Sequence, residues 1–467
     1  MRRLYIYVKM LREGPYMDDW KIVLPEKVKI IIDRLQNRGY EAYAVGGCVR
    51  DSILGRIPDD WDITTSATPV QVKEIFPRTI DTGIQHGTVT VMMHKEGFEV
   101  TTYRIDGEYQ DNRRPSEVHF TPDLSEDLRR RDFTINAMAY NDREGIVDRF
   151  GGVEDIRNKV IRCVGVPRER FGEDALRILR AVRFSAQLGF GIDAGTREAI
   201  CELAPNLASI SAERIQAELV KLLVSDNPYQ LETAYETGIT KIILPELDRM
   251  METVQSTPHH CYSVGEHALH SLEHIEADKV LRLAMLLHDV AKPRTETIDE
   301  TGMTHYYRHA EEGAAMTKNI LKRLRFDNDT MDKVTRLVRW HDYKIEPTPK
   351  AVRNSIFKIG EDIFESFLKV RRAAILSQSE YKRQEKLAML AEITQIHKEI
   401  LDSRECVSLK TLAVTGKDII REGVRPGRGI GEILDRLLEI VLENPEFNDK
   451  DYLLGEVRKI ISGEENS

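Results

Sequence analysis

The chain has 467 residues and carries 68 Lys and Arg against 77 Asp and Glu, a formal net charge of −9 with histidine neutral. That excess of acid excludes a generally basic nucleic-acid coat protein. An apolar fraction of 41% is enough to build cores, and at roughly 100 to 200 residues per domain the length predicts about two to four domains.

In chain order, residues 1–16 read as an extension ahead of Met17, with 1–20 set apart as the N-terminal extension; the apolar stretch at 4–8 is cut off by Lys9 and is too short for a signal-peptide core. Met17 begins a clean lead-in, after which Val28, Ile31, Ile32 and Leu35 recur at helical spacing with Pro25 near the start. From about residue 40 to 150, β-rich runs at 42–45, 88–93 and 98–103 alternate with turns and a few helices, which predicts a small mixed α/β unit. Beyond residue 151 strand signals almost vanish. Apolar residues recur at helical spacing in 174–188, 212–223, 279–287, 331–340 and 385–401, so the remainder reads as mostly α. No apolar run approaches a membrane span. Five scattered cysteines, Cys48, Cys163, Cys201, Cys261 and Cys406, show no Cys-x-x-Cys spacing and fit a reducing compartment. The expectation is a cytoplasmic protein with no membrane partner.

Val45-Gly46-Gly47-Cys48-Val49-Arg50-Asp51 sets a glycine pair between a strand and a helix. Such a turn lets backbone N–H groups approach a phosphate while Arg50 offsets its charge; alone, it reads equally well as a plain tight turn. Asp60-Trp61-Asp62 follows Gly55 and Pro58. In an extended backbone both carboxylates face one side and Trp61 the other, and two like charges side by side suit a divalent cation. Glu99 interrupts the β-branched and aromatic run of 98–103 and is the candidate third carboxylate, so that Asp60, Asp62 and Glu99 together hold two magnesium ions. The competing reading of Glu99 is a solvated strand face.

Gly-Gly-x-Val-Arg-Asp, Asp-x-Asp and then Arg130-Arg131-Asp132-Phe133-Thr134-Ile135-Asn136-Ala137 together resemble the class II tRNA nucleotidyltransferase and bacterial poly(A) polymerase family over residues 40 to about 245. The resemblance implies an α+β protein, with an N-terminal nucleotidyltransferase (polymerase beta-like) mixed-sheet head followed by an all-α neck, an HD-type body and a tail. The expected divisions are an extension at 1–20, the head at 21–150, a neck with a nucleotide-selecting helix at 151–245, the HD-type domain at 246–345 and the tail at 346–467. The resemblance further implies that Asp60 and Asp62 bind catalytic Mg2+ and that Gly47 and Arg50 meet the triphosphate. Arg131, Asp132 and Asn136 would then surround the ribose and phosphates of the incoming nucleotide.

Residues 173–184 read as a helix in which Leu176, Leu179 and Val182 follow the apolar stripe and polar residues recur every third position. Asp174 accepts and Arg177 donates, the combination needed to contact a base's Watson–Crick edge without a template; the plainer reading is a salt bridge between them on a solvated helix. The resemblance implies that they select cytosine and adenine, with Arg180 and Arg183 nearer the triphosphate. The charged, glycine-bearing stretch 106–115 is similar to the flexible loop of enzymes that switch from CTP to ATP, which disfavours a CC-only adder.

Farther on, Gly265-Glu266-His267, His288-Asp289, His309-Ala310-Glu311 and Trp340-His341-Asp342 resemble a metal-dependent phosphohydrolase domain of the HD type. Neutral imidazoles with a carboxylate suit manganese, nickel or iron, and His267, His288 and Asp289 are the candidate ligands. The resemblance implies one more metal-binding aspartate after Arg-Arg-Ala, yet Arg371-Arg372-Ala373 is followed by Ala374. Asp342 is the candidate stand-in, and a helical scaffold without hydrolase activity is the competing reading. The segment 409–420 and Arg425-Pro426-Gly427-Arg428-Gly429 are similar to the family's tRNA-binding tail, with Lys410, Lys417, Arg425 and Arg428 as the basic candidates. An ordinary helix connection is the alternative there.

The expected function is addition of C, C and A to the tRNA 3′ end from CTP and ATP, without a nucleic-acid template, by a monomer or homodimer. Three rivals stand: an A-adding enzyme or poly(A) polymerase of the same family, an HD phosphohydrolase, and an RNA-binding protein with an inert head.

Overall fold

The computed structural model describes residues 21–107, 109–110, 114–115 and 118–462; the expected extension at 1–20, and residues 108 and 111–113 of the expected flexible loop, lie outside them. The chain divides between Ile243 and Leu244 into two compact units.

The first unit is built on a seven-stranded mixed sheet. Its strands are β1 (Ala42–Val45), β2 (Ile63–Thr65), β3 (Thr79–Gly83), β4 (Thr88–Met93), β5 (Glu96–Thr102), β6 (Met138–Asn141) and β7 (Gly145–Asp148), in the spatial order β7-β6-β1-β2-β5-β4-β3. Neighbours are antiparallel except β2 and β5, which run parallel with Ile63 opposite Val100. The unbroken apolar run of β1 is buried along its whole length, as expected of a strand covered on both faces. Helix α1 (Glu26–Gln36) starts behind Pro25 and buries Val28, Ile31, Ile32 and Leu35. Burial of each such side chain contributes about 1.5–3 kcal/mol, enough to fasten the helix to the sheet.

Helix α2 (Gly47–Ile53) leaves β1 through the glycine pair. The single helix expected over 173–184 is two: α3 (Pro167–Glu173) ends at Glu173, and α4 (Leu176–Leu188) begins at Leu176. Asp174 between them is extended, at φ −137° and ψ 102°. Its carboxylate accepts the Leu176 N–H at 3.1 Å, a local bond that competes with continuation of the helix. Asp174 thereby leads into the helix that carries Arg177 instead of sharing it. Helix α5 (Ala212–Leu223) packs along α4.

The regular structure of the second unit is helical apart from a hairpin of Glu296–Ile298 with Thr304–Tyr306. Helices α6 (Val264–Glu273), α7 (Lys279–Leu287), α8 (His309–Arg323), α9 (Asn328–Trp340) and α10 (Glu361–Leu376) pack on one another. Ser263 opens α6 with a capping box closed by Glu266, and Asp278 caps α7 by accepting the Val280 and Leu281 N–H groups. Toward the C-terminal end, α11 (Gly416–Arg421) and α12 (Arg428–Glu443) share a core that includes Ile419, Leu437, Leu438 and Val441. Among the described residues no helix is long and apolar enough to cross a membrane, and all five cysteines are free.

Candidate functional site

The end of β1 draws the separate motifs of the first unit together. The Val45 N–H donates to the Asp62 carbonyl at 3.0 Å, and the Gly46 N–H donates to the Met138 carbonyl at 3.1 Å. Gly46 sits at φ +84°, and a Cβ there would stand 3.0 Å from Arg131 Nη1. Glycine is thus needed both for its backbone conformation and for room beside Arg131. The Arg131 guanidinium lies 3.6 Å from Asp127, while its Nε is buried with no hydrogen-bond partner among the described residues.

Asp60 and Asp62 are exposed, with Trp61 half-buried between them. Desolvation by the surrounding protein raises the Asp62 pKa although water still reaches the residue; Arg131 opposes the rise, and the negative charge of Asp60 adds to it. The two acids therefore sense one another, as a donor pair for a hard cation must. Glu99, the third candidate carboxylate, lies on the strand that pairs with β2. It is exposed on β5 opposite Thr90, and the parallel β2–β5 register that sets Ile63 opposite Val100 leaves Asp62 and Glu99 level with each other, each one residue before the ladder. Among the described residues, the sets of three ligating groups with atoms within 4.8 Å of one another all lie in the second unit.

Asp132 is the hub of the remaining candidates. Its Oδ1 accepts from the Phe133 N–H at 2.8 Å and from Asn136 Nδ2 at 3.2 Å. Its Oδ2 accepts from Arg180 through Nε at 2.9 Å and Nη2 at 2.7 Å. Burial pushes the Asp132 pKa up, but the charge and hydrogen bonds of Arg180, helped by Arg177 and Asn136, more than reverse this and hold it well below the usual carboxylate range. Arg50, nearly buried, donates to Asn136 Oδ1 at 2.7 Å and to both Asp51 oxygens at 2.9 and 2.8 Å. Arg50 thus holds Asn136 beside Asp132, at the glycine turn where it was expected.

The Arg177 N–H donates to the Asp174 carbonyl at 3.0 Å, but their side chains turn to other partners. Asp174 accepts from Arg214 at 2.7 Å, whereas Arg177 donates to Glu173 at 2.7 Å and to the Arg130 carbonyl at 2.9 Å. Glu218 takes Arg183 at 2.7 Å and lies 3.7 Å from Arg180. The guanidinium carbons of Arg180 and Arg183 stand 5.3 and 3.6 Å from the centre of the Phe184 ring, within cation–π range. Arg214 and Glu218 escape the sequence reading. Their only signal is a basic–acidic i, i+4 pair on α5, on the face that also carries Ile215, Leu219 and Leu222.

In the second unit, His267 on α6 and His288 at the end of α7 both face Asp289, their Nε2 atoms 3.8 and 3.2 Å from its Oδ2. All three are buried. Burial, then the neighbouring His288, drives the His267 pKa well down. Burial works against the Asp289 carboxylate too, yet His288 and Lys292 keep its pKa well below the ordinary value. Lys292, a further residue the sequence reading passes over, bridges Asp289 at 2.8 Å and Gln255 at 2.9 Å. Asp342 is not the stand-in ligand: it is exposed, and it accepts from Arg371 at 3.1 Å. Lys410, Lys417, Arg425 and Arg428 are exposed around α11 and the start of α12, and none forms an ion pair among the described residues.

Three family models match the chain. One described as the poly A polymerase head domain covers residues 42–162, one described as an RNA- and SrmB-binding site of polymerase A covers 189–251, and one described as tRNA nucleotidyltransferase domain 2 covers 304–457. The CCA-adding enzyme of Ligilactobacillus salivarius is 34% identical over 445 residues, 95% of this chain and 97% of that protein. Its counterpart in Lacticaseibacillus paracasei is 36% identical over 451 residues, 93% and 95% of the two chains. The crystal structure of the Bacillus stearothermophilus CCA-adding enzyme in complex with CTP is 32% identical, covers 93% of this chain and 97% of that one, and superposes with a TM-score of 0.69. Matched along nearly the whole length of each of these relatives, the chain belongs to the family of CCA-adding enzymes.

Proposed function

We propose that this chain adds C, C and A in turn to the 3′ end of tRNA, drawing on CTP and ATP and releasing pyrophosphate at each step. The observation that carries the reading is the meeting, at the end of β1, of the Asp60-x-Asp62 segment, the glycine turn and Arg131, in a chain whose solved relative is a complex with CTP. In each addition the 3′-hydroxyl oxygen forms a bond to the α-phosphorus, the bond to the β-phosphate oxygen breaks, and pyrophosphate leaves.

Membership of the family implies a divalent metal, and the exposed pair Asp60 and Asp62 is a donor set that fits one; we assign it Mg2+. When bound, that ion supplies positive charge against the triphosphate. Gly47 lets the backbone approach the phosphates, and Arg131 offers the cation beside it. Asp132, held by Arg180 and Asn136, sets the ribose and phosphates. Asp174 and Arg177, each braced by another side chain, read the base edge, and Arg183 with Glu218 forms the support behind them. Lys410, Lys417, Arg425 and Arg428 contact the tRNA backbone, which makes 346–467 the tRNA-binding tail. Head, neck and HD-type body then occupy 21–150, 151–245 and 246–345. The free cysteines fit work in the cytoplasm.

Asp60→Ala is expected to abolish incorporation of labelled CTP into tRNA lacking its terminal CCA; near-normal incorporation would overturn the assignment. A second activity, hydrolysis of a phosphate ester in the second unit, is favoured by the convergence of His267, His288 and Asp289, a set suited to manganese, nickel or iron. Phosphate release from a 2′,3′-cyclic substrate should vanish in His288→Ala and persist in Asp60→Ala. No release by the wild type, or equal release by His288→Ala, removes this second activity.

A further inference from the structure

We infer that the second unit holds not one but two divalent transition-metal ions bridged by Asp289, with His267 and His288 serving one and His309 and His341 the other. This rests on the reading that His267, His288 and Asp289 bind an ion, and extends it to a second ion and two further ligands.

Two sets of ligating atoms share Asp289: His267 with His288, and His309 with His341. They approach opposite oxygens of the carboxylate. Nε2 of His267 and of His288 face Oδ2 at 3.8 and 3.2 Å, while Nε2 of His309 and of His341 face Oδ1 at 3.6 and 3.4 Å.

The other ring nitrogens show where the protons are. Nδ1 of His288, His309 and His341 each lies 2.7 Å from the carbonyl three residues earlier, those of Met285, Tyr306 and Val338. His267 Nδ1 lies 3.3 Å from the Ser377 carbonyl. A carbonyl oxygen only accepts, so each Nδ1 carries a proton, and in a neutral ring each Nε2 is left with a bare lone pair. Four lone pairs then surround one carboxylate, and none of these groups can satisfy another. The Nε2 atoms of His309 and His341 stand only 3.2 Å apart, and the buried His288 Nε2 has no hydrogen-bond partner among the described residues.

Protonating the rings does not relieve this. Lys292 already places its ammonium 2.8 Å from Asp289, so charged imidazoles would gather several buried cations around a single carboxylate, at a large desolvation cost. Two N–H groups at the His309–His341 separation would also collide. A metal ion in each set satisfies two imidazole lone pairs and one carboxylate oxygen at once. The carbonyl bonds fix the ring orientations, as the outer partners of metal-ligating histidines do. Nitrogen-rich donors favour manganese, iron, cobalt or nickel over magnesium. A carboxylate-bridged pair of ions is suited to clamping the oxygens of a phosphate ester, which is the substrate class the site would take.

The test is titration with Co2+ of the chelator-stripped full-length protein, carrying Asp60→Ala and Asp62→Ala throughout so that the first unit's carboxylate pair takes no ion and called wild type where its histidines are unaltered, followed through the visible absorption of nitrogen-ligated cobalt. Saturation at two equivalents is expected for the wild type and at one for His309→Ala and His341→Gln, with circular dichroism checking that each variant is folded. Saturation at one equivalent in the wild type, or two in a folded His309→Ala, overturns the second ion and leaves the single-ion reading standing; no visible band at all overturns both. Electron paramagnetic resonance of the Mn2+-loaded Asp60→Ala, Asp62→Ala protein, in which the first unit's carboxylate pair is removed and all five proposed ligands are intact, decides without altering the histidine site. An exchange-coupled pair is expected, and the six-line signal of isolated ions contradicts it.

Discussion

Replacing Asp132 by Asn alters the hub on which the site of the first unit hangs. The carboxylate accepts four hydrogen bonds, from the Phe133 N–H, Asn136 and two nitrogens of Arg180. Asparagine keeps Oδ1 for the first two but turns an NH2 group toward the Arg180 donors, so both of those bonds are lost and donor meets donor. Arg180 is left with Glu218 at 3.7 Å, too long for a hydrogen bond. Breaking a buried ion pair costs about 3–5 kcal/mol. The Arg180 side chain is 32% exposed, and solvent screening brings the expected loss to the low end, about 3 kcal/mol. At 1.36 kcal/mol per factor of ten, that is roughly a hundredfold fall in amide protection. Hydrogen exchange read by mass spectrometry on peptides spanning 128–140 and 176–188 reports the first unit by itself. The sign of the pH dependence follows from the depressed pKa of Asp132 in the folded chain. The stabilisation is present above the unfolded value of about 4 and is lost as pH falls through the lower folded value. The advantage of the wild type over Asp132→Asn in urea denaturation should therefore narrow below about pH 4. A variant within about 0.5 kcal/mol of wild type at neutral pH, or a gap that stays constant into acid, refutes the hub.

Gly46→Ala forces an L side chain to φ +84° and sets a methyl group 3.0 Å from Arg131; the backbone term alone, about 1–2 kcal/mol, predicts a roughly five- to thirtyfold fall in kcat/KM for CTP, and wild-type kinetics would exclude a role for the turn. Arg131→Gln removes the cation that opposes the rise of the Asp62 pKa, so the acid limb of the pH–rate profile should move to higher pH; a lower rate with an unmoved limb contradicts that coupling. Glu218→Gln leaves the buried Arg183 without its carboxylate, with an expected stability loss of about 1.5–3 kcal/mol in urea denaturation; no measurable change would mean that Glu218 supports nothing. Changing Lys410, Lys417, Arg425 and Arg428 together to Ser should weaken tRNA binding and flatten its dependence on salt while the KM for CTP stays put; unchanged salt dependence would remove the tail from the tRNA interface.

What is legible in the sequence is what is local. The apolar and β-branched runs at 42–45 and 88–93 are strands because nothing in them favours another conformation, and the glycine pair and Asp-x-Asp segment declare themselves within a few residues. Periodicity misleads at Asp174, where the helical pattern runs straight through an extended position whose side chain accepts the Leu176 N–H. Partners that arrive from distant elements are hidden. Arg214 and Glu218 reach the site only because α5 packs along α4. In the same way, His309 and His341 stand out in the sequence, but their convergence on Asp289 from α8 and the end of α9 is visible only in the fold. Glu99 shows what the sequence leaves open: its residue type and strand fit a metal ligand, but only the β2–β5 register, with Ile63 opposite Val100, reveals that it is level with Asp62.

CCA addition is tested most directly by nucleotide omission on tRNA that ends before its CCA. With CTP alone the purified protein should extend the 3′ end by two nucleotides and stop, and subsequent ATP should add a single A. Extension by ATP without any incorporation of CTP, or no extension with either nucleotide, would contradict CCA addition.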